Sequence, residues 1–195
     1  MAEERQRVRL FVAVTVPAAL LHAVAELTDD LRPRFPGARW TESANQHVTL
    51  KFLGWTNDDD VVAVHEACKA VAQRHAAATL SLGELGAFPS RKRVRVLWVG
   101  IEDPSGLLAS VAGDLDDVLE PLGFEAEQRA FAAHLTLARL RAPLRMAGDW
   151  PAPPLPRSPW SCHELTLFRS HLSPRGARYE ALGTFPLAHR TTGGA

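Results

Sequence analysis

His47-Val48-Thr49-Leu50 and His134-Leu135-Thr136-Leu137 are one four-residue pattern written twice in a chain of 195 residues. Side chains alternate between the two faces of a β-strand. Each tetrad, read as a strand, therefore sets a histidine and a threonine on one face, and turns two aliphatic side chains to the other as an anchor in the core. With eight histidines in the chain, chance predicts only about 0.1 such tetrads at this composition. The spacing thus puts a proton-transfer group beside a hydrogen-bonding group twice over.

Around these strands the remaining pattern repeats as well. Val8 to Val16 is apolar and β-branched and ends at Pro17, which suits a strand that passes into a proline-started helix with Leu20, Leu21, Val24, Leu27 and Leu31 at helical spacing. A second helix is expected after Thr56 or Asn57, with Asp58 to Asp60 in its first turn and Val61, Val64, Cys68 and Val71 on one face. Thr79 to Leu85 and Val94 to Ile101 read as strands joined by Gly86 to Lys92. A third helix is expected over Ser105 to Leu119. Residues 142–159 are Pro-rich and aperiodic, which predicts a surface loop, and Leu165 to Phe168 and Tyr179 to Phe185 close the sheet. Each half thus offers a helix and then a histidine-bearing strand.

Composition narrows the function classes. The chain carries 22 Lys and Arg against 22 Asp and Glu, so the basic footprint of a protein that coats duplex nucleic acid is missing, and any nucleic-acid ligand should be small or touched locally. Two cysteines without CxxC spacing support neither a disulfide framework nor a thiolate metal site. Arg5 to Arg9 and the apolar run after them imitate a leader peptide, but Glu3, Glu4, Pro17 and His22 and the strand-then-helix pattern argue against one. No run approaches the roughly 20 apolar residues of a spanning helix, and a monomeric, cytoplasmic protein without membrane attachment is expected.

An unperturbed imidazole titrates near 6.5, so two of them across a cleft can serve as acid and base near neutrality. That pairing suits in-line displacement at phosphorus, and it requires no metal or other cofactor. At this point the sequence resembles the two-histidine phosphoesterase superfamily, in its RNA 2′,3′-cyclic phosphodiesterase branch, also called 2′-5′ RNA ligases. The resemblance runs through RLFVAVTVP, HVTLKFLG, AFPSRKRVRVLWVGIE, RAFAAHLTLARLR and ELTLFRSHLSPRGARYEALGTFPL. It implies an α+β fold of two pseudo-symmetric lobes, each an antiparallel sheet backed by helices, with the cleft between them. Residues 1–190 would form one such domain and 191–195 a disordered tail.

Carried over by position, the resemblance implies His47 as the acid that protonates the ribose O3′ and His134 as the base that activates water. Thr49, Thr136 and Arg139 would hold the phosphate, and Phe52 would stack on a base. Phe52 and Arg139 stand five places after their histidines, nominally on the opposite face, which demands a bulge or strand end near Leu50 and Leu137. Arg129 opens the approach to the second motif, where both prolines of the family's Arg-Pro-Phe-x-Pro-His run are replaced by alanine. The implied activity is hydrolysis of a 2′,3′-cyclic phosphate on an RNA end or small nucleotide to a 2′-phosphomonoester. Alternatives are a 2′-5′ oligonucleotide or cyclic ADP-ribose phosphodiesterase, the reverse joining reaction, and a nucleotide-binding module without chemistry. His163-Glu164-Leu165-Thr166 is set aside, because its histidine and threonine fall on opposite faces. Arg91, Lys92, Arg93 and Arg95 are read as a solvated hairpin, and Trp40 as core or rim.

Overall fold

A computed structural model describes residues 6–146, 148–151, 154–156, 158–174 and 176–188. The apolar opening run becomes β1 (Arg7–Thr15), and the Pro17 carbonyl accepts the Leu20 and Leu21 N–H groups as the chain turns into α1 (Ala18–Leu31). Leu20, Val24, Leu27 and Leu31 form its buried face. The first tetrad opens β3 (His47–Asn57), after a short β2 (Arg39–Trp40). Asp58 to Asp60 make a 3₁₀ turn that leads into α2 (Val61–Ala72), so the acidic triplet is a helix start, as its placement predicted. β4 (Ala78–Ser90) and β5 (Arg93–Glu102) follow, then α3 (Leu107–Leu119). Asp103 Oδ2 and Ser105 Oγ accept the Leu108 and Leu107 N–H groups and satisfy two of the orphan donors at its start. The second tetrad opens β6 (His134–Leu144), and β7 (Trp160–Cys162), β8 (Glu164–Ser173) and β9 (Gly176–Pro186) complete the chain.

All nine strands join one curled antiparallel sheet in the order β7-β4-β5-β6-β3-β1-β8-β9, with β2 also on β6. The two histidine strands are its centre, and they meet at the single pair Val48↔Leu135. On one side lie β1, β8 and β9, with α2 packed on β8, β9 and α3, and with α3 on β3. On the other lie β5, β4 and β7. The α+β architecture that the resemblance implied is present, with its two halves joined in one continuous sheet instead of standing as two separate ones. Val48, Leu50, Leu135 and Leu137 are buried in the core, as the alternation requires.

Two local expectations are corrected. Gly86 to Lys92 is not a connection: β4 runs to Ser90 and only Arg91 and Lys92 turn. Gly86 is a strand residue because the Trp98 ring of β5 lies directly over it, where a Cβ would overlap the indole. The expected 142–159 loop begins later, since β6 continues through Leu144. β2 and β7 are too short to leave a periodic signal. The expected 191–195 tail lies outside the described residues. Among the described residues no helix is long and apolar enough to cross a membrane.

Candidate active site

The tetrads come together because their strands are antiparallel neighbours. Val48 and Leu135 face each other on the core side. One step along that register in either direction sets His47 across from Thr136 and Thr49 across from His134. All four side chains thus stand on the opposite face, half-buried, with the histidines on one diagonal and the threonines on the other.

The same main-chain contact orients both rings. His47 Nδ1 lies 2.9 Å from the Asn45 carbonyl oxygen, and His134 Nδ1 lies 2.6 Å from that of Ala132. A carbonyl only accepts, so each Nδ1 carries its proton and donates it, which leaves each Nε2 free for proton transfer. Aromatic rings surround them. Phe11 stacks on His47 at 4.6 Å and Tyr179 meets it edge-on at 5.2 Å, with Phe168 at 6.2 Å. Phe88 meets His134 edge-on at 5.1 Å, and Trp98 lies 6.1 Å away.

This packing sets the protonation state. Burial pushes His47 down to about 4, opposed by its hydrogen bond to Asn45 and reinforced by the charges of Arg139 and His134. Burial likewise lowers His134, opposed by the Ala132 hydrogen bond and reinforced by Arg139. The near-neutral titration expected from the sequence therefore does not hold for the free protein: in the folded chain both rings are neutral at pH 7.

A strand irregularity answers the parity problem of Phe52 and Arg139. The β1–β3 register passes from Val12↔Lys51 to Ala13↔Thr49, leaving Leu50 as an extra residue. The β5–β6 register passes from Leu97↔Ala138 to Trp98↔Thr136, leaving Leu137 as its counterpart. Two consecutive residues are buried at each bulge, Leu50 with Lys51 and Leu137 with Ala138, and the next residues, Phe52 and Arg139, return to the exposed histidine face. Phe52 then stacks on Phe11 at 5.7 Å, and the Arg139 charge bears on both imidazoles. Arg129 is not gathered in the same way. It is exposed, its main-chain N–H donates to Glu127 Oε1, and its charge is not among those that shift either imidazole.

Below the site, Lys51 is buried and pairs with Asp116 of α3, while its Nζ also donates to the Glu125 carbonyl at 2.8 Å. Asp116 Oδ2 accepts the Glu127 N–H as well. One buried ion pair thus ties the first motif strand to α3 and to the segment that leads into the second. Sequence reasoning missed this pair and the rings of Phe11, Tyr179, Phe168, Phe88 and Trp98. None of these residues lies in either tetrad, and an internal strand that is apolar on both faces hides which ring turns to the cleft.

Other groups stand apart. His163 is exposed beside Glu164, and His171 is bound to Glu180. Cys68 and Cys162 are buried, which pushes their thiols up to about 12 and about 11, so neither is a nucleophile at neutral pH. Trp40 pairs through β2 with Ala138, with the Arg32 guanidinium over its ring.

A family model described as LigT like Phosphoesterase matches residues 14–98. An RNA 2′,3′-cyclic phosphodiesterase of Thermus thermophilus is 31% identical over 184 residues, covering 92% of this chain and 90% of that protein. One of Geobacillus stearothermophilus is 29% identical over 189 residues, covering 93% of this chain, which spans only 58% of that relative's length. Among solved structures, TT0787 of Thermus thermophilus superposes with a TM-score of 0.79 at 28% identity, covering 93% of this chain and 99% of the other. E. coli LigT complexed with 3′-AMP gives 0.78 at 27% identity, with the same coverage. With its collinear strands, its paired tetrads and a 31% identical relative matched over nearly its whole length, the chain belongs to the family of LigT-like RNA 2′,3′-cyclic phosphodiesterases.

Proposed function

We propose that the protein hydrolyses 2′,3′-cyclic phosphates on RNA ends and small nucleotides to 2′-phosphomonoesters, with His47 and His134 as a metal-independent acid and base pair. The observation that carries this reading is the arrangement of the two imidazoles. They share one face, each fixed through Nδ1 to a carbonyl, with Nε2 free and one guanidinium acting on both.

In the proposed reaction a cyclic phosphate monoanion enters between the rings. The His134 Nε2 accepts a proton from a water that attacks phosphorus in line with the bond to O3′. His47, protonated, gives its Nε2 proton to O3′ as that bond breaks, and the phosphate remains on the 2′ oxygen. Atoms and protons balance, because one proton enters the pair from water and one leaves it to the new hydroxyl. Thr49 and Thr136, on the other diagonal, and Arg139 hold the non-bridging oxygens, where added negative charge develops. The anion also favours the imidazolium that burial and Arg139 disfavour in the free site, so substrate binding itself supplies the protonated acid. Phe52, stacked on Phe11, offers a face for a base. Arg129 is kept as an outlying contact for the RNA end.

Support for the nucleotide class comes from the neighbours. Solved forms of E. coli LigT are complexed with 3′-AMP, with ATP and with NADP+. Residues 1–190 act as one monomeric, cytoplasmic unit in this proposal. The test is turnover of adenosine 2′,3′-cyclic phosphate in excess EDTA. Full activity is expected, with His47→Ala and His134→Ala each slower by about 10²–10⁴. Activity that EDTA abolishes and zinc or manganese restores, or a His134→Ala variant as fast as wild type, would reject it.

A further inference from the structure

A second concave site lies on the same sheet, away from the histidines. β1 pairs with β8 only from Leu10↔Arg169 to Ala13↔Thr166, so Arg7 to Arg9 and Ser170 to Leu172 part from one another. The gap between them is a cavity of about 220 Å³, lined by Arg7, Arg9, Trp55, Arg169, Ser170 and His171 with their neighbours. Arg7, Arg9 and Arg169 all line it, and among the described residues none has a carboxylate within ion-pair distance, although Arg169 stands across from Glu180 on β9 and its charge helps lower that carboxyl. The Arg7 guanidinium donates to the Trp55 carbonyl at 2.7 Å, and Glu180, at the border, is held by His171 at 2.6 Å. The Ser170 hydroxyl is buried, and among the described residues it has no hydrogen-bond partner. Trp55 is 55% exposed and, with Phe52 at 54%, offers a ring face to solvent beside the groove.

The site is continuous with the cleft. Phe11 stacks on His47, Phe52 stacks on Phe11, the Arg9 guanidinium covers the Phe52 ring at 5.2 Å, and Arg9 pairs across the strands with Trp55. A second bulge at Leu53, where the register steps from Leu10↔Gly54 to Phe11↔Phe52, keeps Trp55 on the exposed side with Phe52. Alternating rings and guanidiniums along a groove are the means by which proteins hold single strands, with stacking for bases and positive charge for phosphates. Trp55 follows His47 by eight positions on β3, at most about 26 Å at roughly 3.3 Å per residue. A short RNA seated with its cyclic end at the histidines reaches that far.

We propose that the cavity between β1 and β8 is a subsite for the backbone phosphates and an unstacked base of RNA a few nucleotides upstream of the cyclic end. The proposal rests on the reaction assigned above and adds that the enzyme prefers chains to mononucleotides. The chain remains neutral overall, and this local groove supplies the affinity.

The test compares adenosine 2′,3′-cyclic phosphate with a hexaadenylate that ends in a 2′,3′-cyclic phosphate, for wild type, Arg7→Ala/Arg169→Ala and Trp55→Ala. Wild type should show kcat/KM at least about tenfold higher on the hexamer, with the advantage shrinking as salt rises. Each variant should lose most of that advantage and keep wild-type kinetics on the mononucleotide. Equal kcat/KM on both substrates in wild type would overturn the proposal, as would variants that slow both substrates alike or neither. Anisotropy of a 5′-labelled hexaadenylate supplies a readout free of chemistry. If neither substrate is hydrolysed, the assigned reaction fails, and the subsite stands or falls on whether Arg7→Ala/Arg169→Ala weakens that binding about tenfold or leaves it unchanged.

Discussion

Each imidazole gives its Nδ1 proton to the carbonyl two residues before it, and each is pushed below 6.5 first by burial and then by Arg139. The proposed reaction needs one ring cationic and one neutral, and in the free protein the cation forms only on the acid side of neutrality. The kcat/KM profile on adenosine 2′,3′-cyclic phosphate should therefore be a bell with its maximum below pH 6.5, falling about tenfold per pH unit on the alkaline limb, with limbs that belong to the coupled pair. A plateau from pH 6.5 to 8.5 would contradict this. Arg139→Lys keeps a charge but loses the fork that grips two oxygens, so kcat/KM should fall at least about tenfold. Arg139→Gln removes the charge that lowers both rings, so its alkaline limb should also move to higher pH. Wild-type kinetics for Arg139→Lys would relegate the residue to scaffolding.

At the level of strands, the site depends on matched irregularities. The bulges at Leu50 and Leu137 were demanded by the sequence, since Phe52 and Arg139 otherwise fall on the wrong face, and the registers contain them at those residues. The tetrads, the helix faces and most strands were legible because period and apolar content carry them. Gly86 misled because a strand glycine under an indole has the same letter as a turn glycine, and only the Trp98 ring above it tells them apart. Gly86→Ala should destabilise the protein by about 1–3 kcal/mol through overpacking and also slow turnover, because the displaced ring neighbours His134. The Lys51 pairing was illegible for another reason: its partner Asp116 lies on a helix far along the chain, where an acidic residue reads as a solvated face. Lys51→Met should cost about 2–4 kcal/mol in urea unfolding by leaving Asp116 without its cation, and Lys51→Met/Asp116→Leu should recover most of that. A Lys51→Met variant as stable as wild type would show that the tie is dispensable.

Across the whole molecule, the two halves of the sheet meet at the histidine strands, so the proposed catalysis and the folding share groups. His47 titrates near 6.5 when unfolded and at about 4 when folded. The unfolded chain therefore takes up the proton first as pH falls. Stability is unaffected by this group above about pH 7 and declines between pH 6.5 and 4, by up to about 3 kcal/mol at 1.36 kcal/mol per unit. The Tm of wild type should fall more steeply over that window than the Tm of His47→Asn, and parallel curves would deny the burial penalty. The proposed reaction of this pair is the opening of a cyclic phosphate at O3′. Its most direct measurement is ³¹P NMR of the product formed from adenosine 2′,3′-cyclic phosphate in excess EDTA, with wild type beside His47→Ala and His134→Ala. Wild type should give adenosine 2′-phosphate, and either variant nearly none in the same time. Adenosine 3′-phosphate as the main product, or unchanged 2′-phosphate formation by either variant, would contradict it.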